Sequence, residues 1–249
     1  MPDPDLRVYG ATDGFPGRGV PGALLVDKPK GLTSFDVVAR VRRAVGEQKV
    51  GHAGTLDPMA TGLLILLVGR DATRVQDRFM GLPKTYSGTF RLGETTGSYD
   101  AESPIETKTP ADHVTDESIA AAVAALVGEI QQRPPMYSAV KVGGERLYKK
   151  ARRGETIEVA ARPVTVYSFA VTGRRGDDVD FHVACSKGTY VRTLAHDVGQ
   201  TLGVGAHLVA LRRESIGPFT ADEAWALDAL QEAARPTPPP AEPQPAPES

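Results

Sequence analysis

The chain has 249 residues, with 29 Lys+Arg against 31 Asp+Glu, 41% hydrophobic and 24% charged, a composition ordinary for a globular protein. Its single cysteine, Cys185, excludes an internal disulfide and any multi-cysteine metal centre. The strongly apolar run Leu63–Val68 is far short of the roughly 20 residues a membrane helix needs. No charged segment leading into an apolar stretch opens the sequence, so a cytoplasmic protein with no membrane contact is expected.

Taken in chain order, residues 1–21 are rich in Gly, Pro and Asp without apolar periodicity, and they read as a flexible extension. Leu24, Leu25 and Val26 form a short strand that ends in a turn at Asp27-Lys28-Pro29. Thr33 or Ser34 can cap a helix whose apolar face is Val37, Val38, Val41 and Val45, with Gly46 as its stop. Leu63–Val68 reads as a buried strand, and the alternation through Tyr86, Gly88, Phe90 and Leu92 as a half-exposed one. Thr115 caps an Ala-rich helix that should stop at Gly128. Strands over 164–171 and 179–185 form a hairpin. Val191, Leu194, Ala195, Val198 and Leu202 lie at helical spacing. Residues 221–234 read as one further helix, and the Pro-rich residues 235–249 as a disordered tail. With a hairpin and no regular strand–helix alternation, the fold class is α+β. One folded domain is expected over 22–234.

Charge is unevenly spread. Within 131–154, Arg133, Lys141, Arg146, Lys149, Lys150, Arg152 and Arg153 face only Glu145. This projecting basic insertion is suited to phosphates, which position a nucleic acid without reading its sequence; affinity for RNA should then fall as salt rises. A charged helix on a solvated face is the commoner occurrence of such a pattern.

Two loops carry candidate chemistry. Lys49–Gly62 places His52 and Asp57 in a Gly-rich connection, with Pro58 holding Asp57 extended. Alone, such a loop is more often just a tight turn. In Cys185–Leu194 a helix begins near Thr189 with Arg192 in its first turn, where the helix dipole disfavours a cation. Arg192 is therefore either exposed or paired with a carboxylate that it keeps ionised.

The run Gly51-His52-Ala53-Gly54-Thr55-Leu56-Asp57-Pro58-Met59-Ala60-Thr61-Gly62 resembles the catalytic motif of the tRNA pseudouridine synthase B family. The resemblance continues through Leu25–Pro29 with Gly31, Lys84-Thr85-Tyr86, Pro134–Lys150, Cys185–Arg192, Gly205–Leu208 and Leu211-Arg212-Arg213. It thus spans Leu24 to about Phe219. It implies the pseudouridine synthase fold, a mixed, mainly antiparallel sheet flanked by helices, with the basic insertion as a thumb. It also implies isomerisation of uridine 55 in the tRNA T loop, without metal or cofactor. By the same resemblance Asp57 is the nucleophile, Tyr86 stacks on the flipped base, and Arg192 pairs with the aspartate. Tyr190 and Leu211 line the uracil pocket, and His52 fills the space the nucleotide leaves. Lys28 and Pro29 belong to a structural motif, and Lys141, Arg146, Lys149 and Lys150 face the RNA. Many family members carry a further C-terminal RNA-binding domain; here it is expected to be absent or vestigial.

The expected partner is the T-arm stem-loop of tRNA, bound by a monomer with no protein partner. The chemistry suits one carboxylate, because hydrolysis of a glycosidic bond would call for a pair. The target base must leave its stack, and water must be excluded. The competing readings are a tRNA-binding folding factor without catalysis and a synthase guided by a separate RNA.

Overall fold

A computed structural model describes residues 6–138, 140–155, 157 and 159–235, with backbone alone at 141, 142, 146, 148, 149 and 152. All but the first residue of the tail expected over 235–249, and the side chains of Lys141, Arg146 and Lys149, lie outside the described residues.

The first half of the fold is built on β2 (Gly22–Lys28) and β4 (Thr61–Val68), paired antiparallel from Gly22↔Val68 to Lys28↔Gly62. Preceding them is β1 (Val8–Tyr9); between them come α1 (Ser34–Val45) and β3 (Val50–Ala53). α1 starts where Thr33 Oγ1 accepts the Asp36 N–H while Asp36 accepts the Thr33 N–H, and it stops at left-handed Gly46. Its valines pack on one face of β2 and β4. The other face carries α2 (Arg70–Arg74) and α3 (Gln76–Gly81), with Phe79 buried. Covered on both sides, β4 is apolar throughout instead of alternating.

The second half begins with β5 (Lys84–Leu92), β6 (Glu94–Thr96), β7 (Ile105–Lys108), α4 (Asp116–Ala124) and β8 (Gly128–Gln132). The basic insertion holds β9 (Lys141–Val142), β10 (Glu145–Arg146) and α5 (Leu147–Arg152). Then come β11 (Arg162–Arg175), β12 (Asp178–Cys185), α6 (Val191–Thr201) and β13 (Ala206–Ile216). Phe90, Phe181, Val179 and Val183 face inward beneath α4 and α6. The opposite face is polar, and there Arg91 holds Asp178 at 2.7 Å. This alternation is what an antiparallel sheet with one covered face requires.

One eleven-stranded sheet runs in the order β1-β2-β4-β13-β5-β12-β11-β8, with β3 beside β4, β14 (Phe219–Thr220) beside β13 and β15 (Trp225–Ala226) beside β2, and it is antiparallel except at β1/β2, β15/β2 and β4/β13. The α+β class and the mixed, mostly antiparallel sheet flanked by helices are as the sequence implied. The two halves meet at β4/β13, where only Thr61↔Arg212 and Gly62↔Arg213 are paired.

Three segments depart from their sequence readings, the least of them α4, which ends at Ala124 while Gly128, its expected stop, opens β8. Residues 221–234 are not one helix. Residues 221–223 form a short 3-10 turn, β15 (Trp225–Ala226) pairs with Val26–Asp27, and α7 (Leu227–Ala233) covers α1. At the other end, β1 pairs with Ala23–Leu24, so part of the opening 21 residues is ordered. Both short strands occupy the outer edge of β2, whose unpaired backbone groups demand partners. That tertiary demand overrides the helical pattern, and two-residue strands are too short to show a period.

Candidate active site

The Asp57 loop leaves β3 in the first half but packs into the core of the second. Leu56, Met59 and Ala60 share a cluster with Tyr86, Leu211 and Val191. The loop is held at several points. Ser34, the first residue of α1, donates its hydroxyl to the Leu56 carbonyl at 3.0 Å and accepts the Leu56 N–H at 2.9 Å. Lys28, fully buried, donates to the carbonyls of Pro29, Leu32 and Pro58. The Gly31 N–H donates to Pro58 as well. Burial lowers the Lys28 ammonium to about 8, against the pull of Glu102 and Asp57.

Arg192 lies in the first turn of α6 and is buried, with 4% of its surface exposed. Its Nε stands 2.9 Å from Asp57 Oδ2, and its Nη1 stands 3.3 Å from Asp100 Oδ2. Nη1 also donates to the Ser98 carbonyl at 3.0 Å, and Nη2 to the Tyr137 carbonyl at 2.9 Å. Of the two readings left open for Arg192, the structure selects the buried ion pair. The guanidinium ties three separate segments together at the Asp57 carboxylate, whose side chain remains 37% exposed. Burial and the neighbouring Asp100 raise the Asp57 carboxyl above its ordinary value, and Arg192 and Lys28 oppose that rise. The ion pair works in favour of the charged form against that burial.

Tyr86 on β5 is buried, with its phenol raised by desolvation and bonded to Arg213. Leu211 on β13 is buried in the same cluster. Tyr190 caps α6, and its backbone is clamped in both directions by buried Gln132: the Tyr190 N–H donates to Oε1 at 2.7 Å, and Nε2 donates to the Tyr190 carbonyl at 3.1 Å. His52 sits at the loop's outer end, with Nε2 3.0 Å from Thr55 Oγ1 and its ring edge-on to the exposed Phe35 at 5.3 Å. Cys185 and His207 are buried. The structure therefore gathers Asp57, Arg192, Tyr86 and Leu211 into one region, with Tyr190 beside Arg192 and His52 at the rim.

The root of the basic insertion reaches the same region through Tyr137. Farther out, Gly143 and Gly144, both at positive φ, turn β9 into β10, as a tight hairpin requires. Arg153 is neutralised locally by Glu145 at 2.8 Å and Glu155 at 2.7 Å, while Lys150 is half-buried.

Sequence reasoning missed three supports. Asp100, 1% exposed, shares Arg192 with Asp57. It follows Tyr99, whose left-handed backbone (φ 64°) is unusual for a bulky residue. Tyr99 is stacked on His196 at 3.9 Å, which gives His196 a place in supporting this turn. Gln132 is the second support. Arg213 is the third: it is fully buried and donates to the carbonyls of Leu63 (2.7 Å) and Gly54 (2.8 Å), and it bonds Tyr86. Beside it, Gly62 has φ 97°, and a Cβ there would stand 2.3 Å from the Arg213 carbonyl oxygen. Gly62→Ala is accordingly expected to cost at least about 2 kcal/mol, read as a lowered urea midpoint with unchanged slope.

Residues 42–191 match the family model described as TruB family pseudouridylate synthase (N terminal domain), and residues 192–237 match the tRNA pseudouridylate synthase B C-terminal domain. The tRNA pseudouridine synthase B of Paenarthrobacter aurescens (strain TC1) is 52% identical over 217 residues, covering 85% of this chain and 70% of that protein. That of Nocardia farcinica (strain IFM 10152) is 54% identical over 218 residues, covering 86% and 71%. Among solved structures, a Cbf5-Nop10-Gar1 complex matches with TM-score 0.67 and 31% identity, covering 93% of this chain and 60% of the matched one. The archaeal box H/ACA sRNP Nop10-Cbf5 complex matches with TM-score 0.62 and 31% identity, covering 84% and 52%. The chain thus spans between half and three fifths of those two structural neighbours. The matched segments contain both partners of the ion pair, Asp57 in one and Arg192 in the other, on the fold of the same relatives, and the chain belongs to the TruB family of pseudouridylate synthases.

Proposed function

We propose that this chain isomerises uridine 55 in the T loop of tRNA to pseudouridine, with Asp57 as the nucleophile acting on a flipped-out base. The observation that carries this reading is the Asp57 carboxylate held open to a ligand on one side and 2.9 Å from buried Arg192 on the other. Relatives more than half identical that are named tRNA pseudouridine synthase B support it. The N1–C1′ glycosidic bond breaks, the uracil turns, a C5–C1′ bond forms, C5 gives up its proton and N1 takes one up. No atom is gained or lost overall, so no co-substrate is required.

Tyr86 supplies the stacking face, Tyr190 and Leu211 enclose the base, and His52 fills the vacated stack. The catalytic domain is 22–234. Its insertion at 131–154 is a thumb that meets the T arm through Lys141, Arg146, Lys149 and Lys150, so recognition rests on the shape of a folded loop. The protein works as a cytoplasmic monomer. Against a purely non-catalytic folding factor stands the energetic cost of burying Arg192 between two carboxylates, an arrangement that binding alone does not need.

Incubation of the protein with unmodified tRNA, followed by mapping of pseudouridine, tests the assignment. Product at position 55 alone is expected. Tight binding without product favours the folding factor, and product at other positions overturns the substrate assignment.

A further inference from the structure

We propose that an arginine-lined groove between α1 and α7 binds backbone phosphates of the same tRNA whose T loop occupies the Asp57 site; this rests on the reading of the chain as a tRNA-modifying enzyme. The groove, of about 430 Å³, is lined by Arg18, Arg40, Arg43, Ala44, Gln231, Ala234 and Arg235. Four guanidinium groups thus converge where the lining holds no acid. Among the described residues Arg18 and Arg40 form no salt bridge or side-chain hydrogen bond. Arg43 donates only to the Ala39 carbonyl of its own helix, at 3.3 Å. Arg235 meets Glu232 at 2.9 Å in an exposed pair, and Arg40 feels the exposed Asp36 one turn back on α1 without a salt bridge to it. Weak, solvated pairing of this kind holds a charge without spending it.

Like charges at such density are unfavourable for the free protein and are retained at no benefit to its core. A row of phosphates removes the repulsion, and guanidinium groups match phosphate oxygens in bidentate geometry. Position favours the substrate RNA over an unrelated anion. Ser34, at the start of α1, holds the Asp57 loop directly. Arg40 and Arg43 lie six and nine residues farther, roughly 9–14 Å along the helix axis. The exposed stripe of α1 begins at Phe35, which touches His52 at the rim of the site, and continues through Ala39 to Arg43 at one-turn intervals. In intact tRNA the groove therefore meets the helical stem that continues past the T arm, a part absent from an isolated T-arm stem-loop. The groove's other wall, α7, belongs to the segment 192–237 that matches the family's C-terminal domain.

The test compares full-length unmodified tRNA with an isolated T-arm stem-loop as substrates of the full chain. The variant is Arg40→Ala/Arg43→Ala, which keeps good helix formers on the exposed side of α1; Arg18→Ala, outside the helix, is the second variant. For intact tRNA, KM is expected to rise on the order of tenfold and the dependence of log affinity on log salt to flatten by roughly one to two contacts. The single-turnover rate at saturating tRNA and the KM for the stem-loop should stay unchanged. Equal KM for wild type and both variants on intact tRNA overturns the proposal, as does an equal rise on both substrates. Absence of pseudouridine from either RNA with the wild type would instead overturn the function itself, so the two failures are distinguishable.

Discussion

Asp57→Asn is expected to lower the single-turnover rate of pseudouridine formation by at least about 10³-fold, while tRNA affinity stays within a few-fold of wild type. The substitution keeps the side chain's size but removes its charge. It does not strand Arg192, which retains Asp100 and the carbonyls of Ser98 and Tyr137. The protein should therefore remain folded, and lost activity will report chemistry rather than collapse. Retention of a tenth or more of the wild-type rate refutes the nucleophile assignment. The wild-type rate also carries a pH signature. Burial raises the Asp57 carboxyl above its ordinary value, so the acidic limb of the rate profile should lie above the usual carboxylate range, with activity lost as pH falls through it.

Arg192→Leu is expected to destabilise the fold as well as the reaction. Asp100 is almost fully buried and meets Arg192 at 3.3 Å; without the guanidinium it becomes an uncompensated buried charge. Breaking a buried pair from one side costs about 3–5 kcal/mol, a fall in Tm of roughly 6–20 °C for a domain of this size. Arg192→Leu/Asp100→Asn should recover part of that loss, because the coupling between touching charges is typically about 1–3 kcal/mol. A double variant no more stable than Arg192→Leu alone would show that Asp100 is not the strained partner. Activity should be lost in both proteins, since Asp57 then lacks its nearest cation.

How much of this was legible in the chain varies with the range over which each residue acts. The caps and valines of α1, the alternation of β5 and the hairpin of β11 with β12 are local patterns, and all appear as read. The Asp57 loop was legible because its glycines and Pro58 leave a distinctive sequence. Asp100, Gln132 and Arg213 were not, because each acts across 50 residues or more on a partner that only the folded sheet brings near. One of them did leave a trace: Arg213 shares strand parity with Leu211, so alternation places it inward. The readings of residues 1–21 and 221–234 erred for a related reason. Their short strands exist to close the edge of β2, and an edge is a property of the sheet, not of the segment that covers it.

The thin β4/β13 contact has a bearing on how the enzyme is assembled during folding. Asp57 is delivered by the first half of the sheet, whereas Arg192, Asp100 and Tyr86 are delivered by the second. Most apolar side chains of each half cluster among themselves, with the Asp57 loop and the last strands crossing between them, yet neither half contains a working site. Competence for catalysis therefore arises only on docking of the two, with the buried Arg213 and the close approach at Gly62 as the last groups to be dehydrated. Recovery of activity during refolding should lag behind recovery of secondary structure, since strands and helices form before the carboxylate meets its guanidinium.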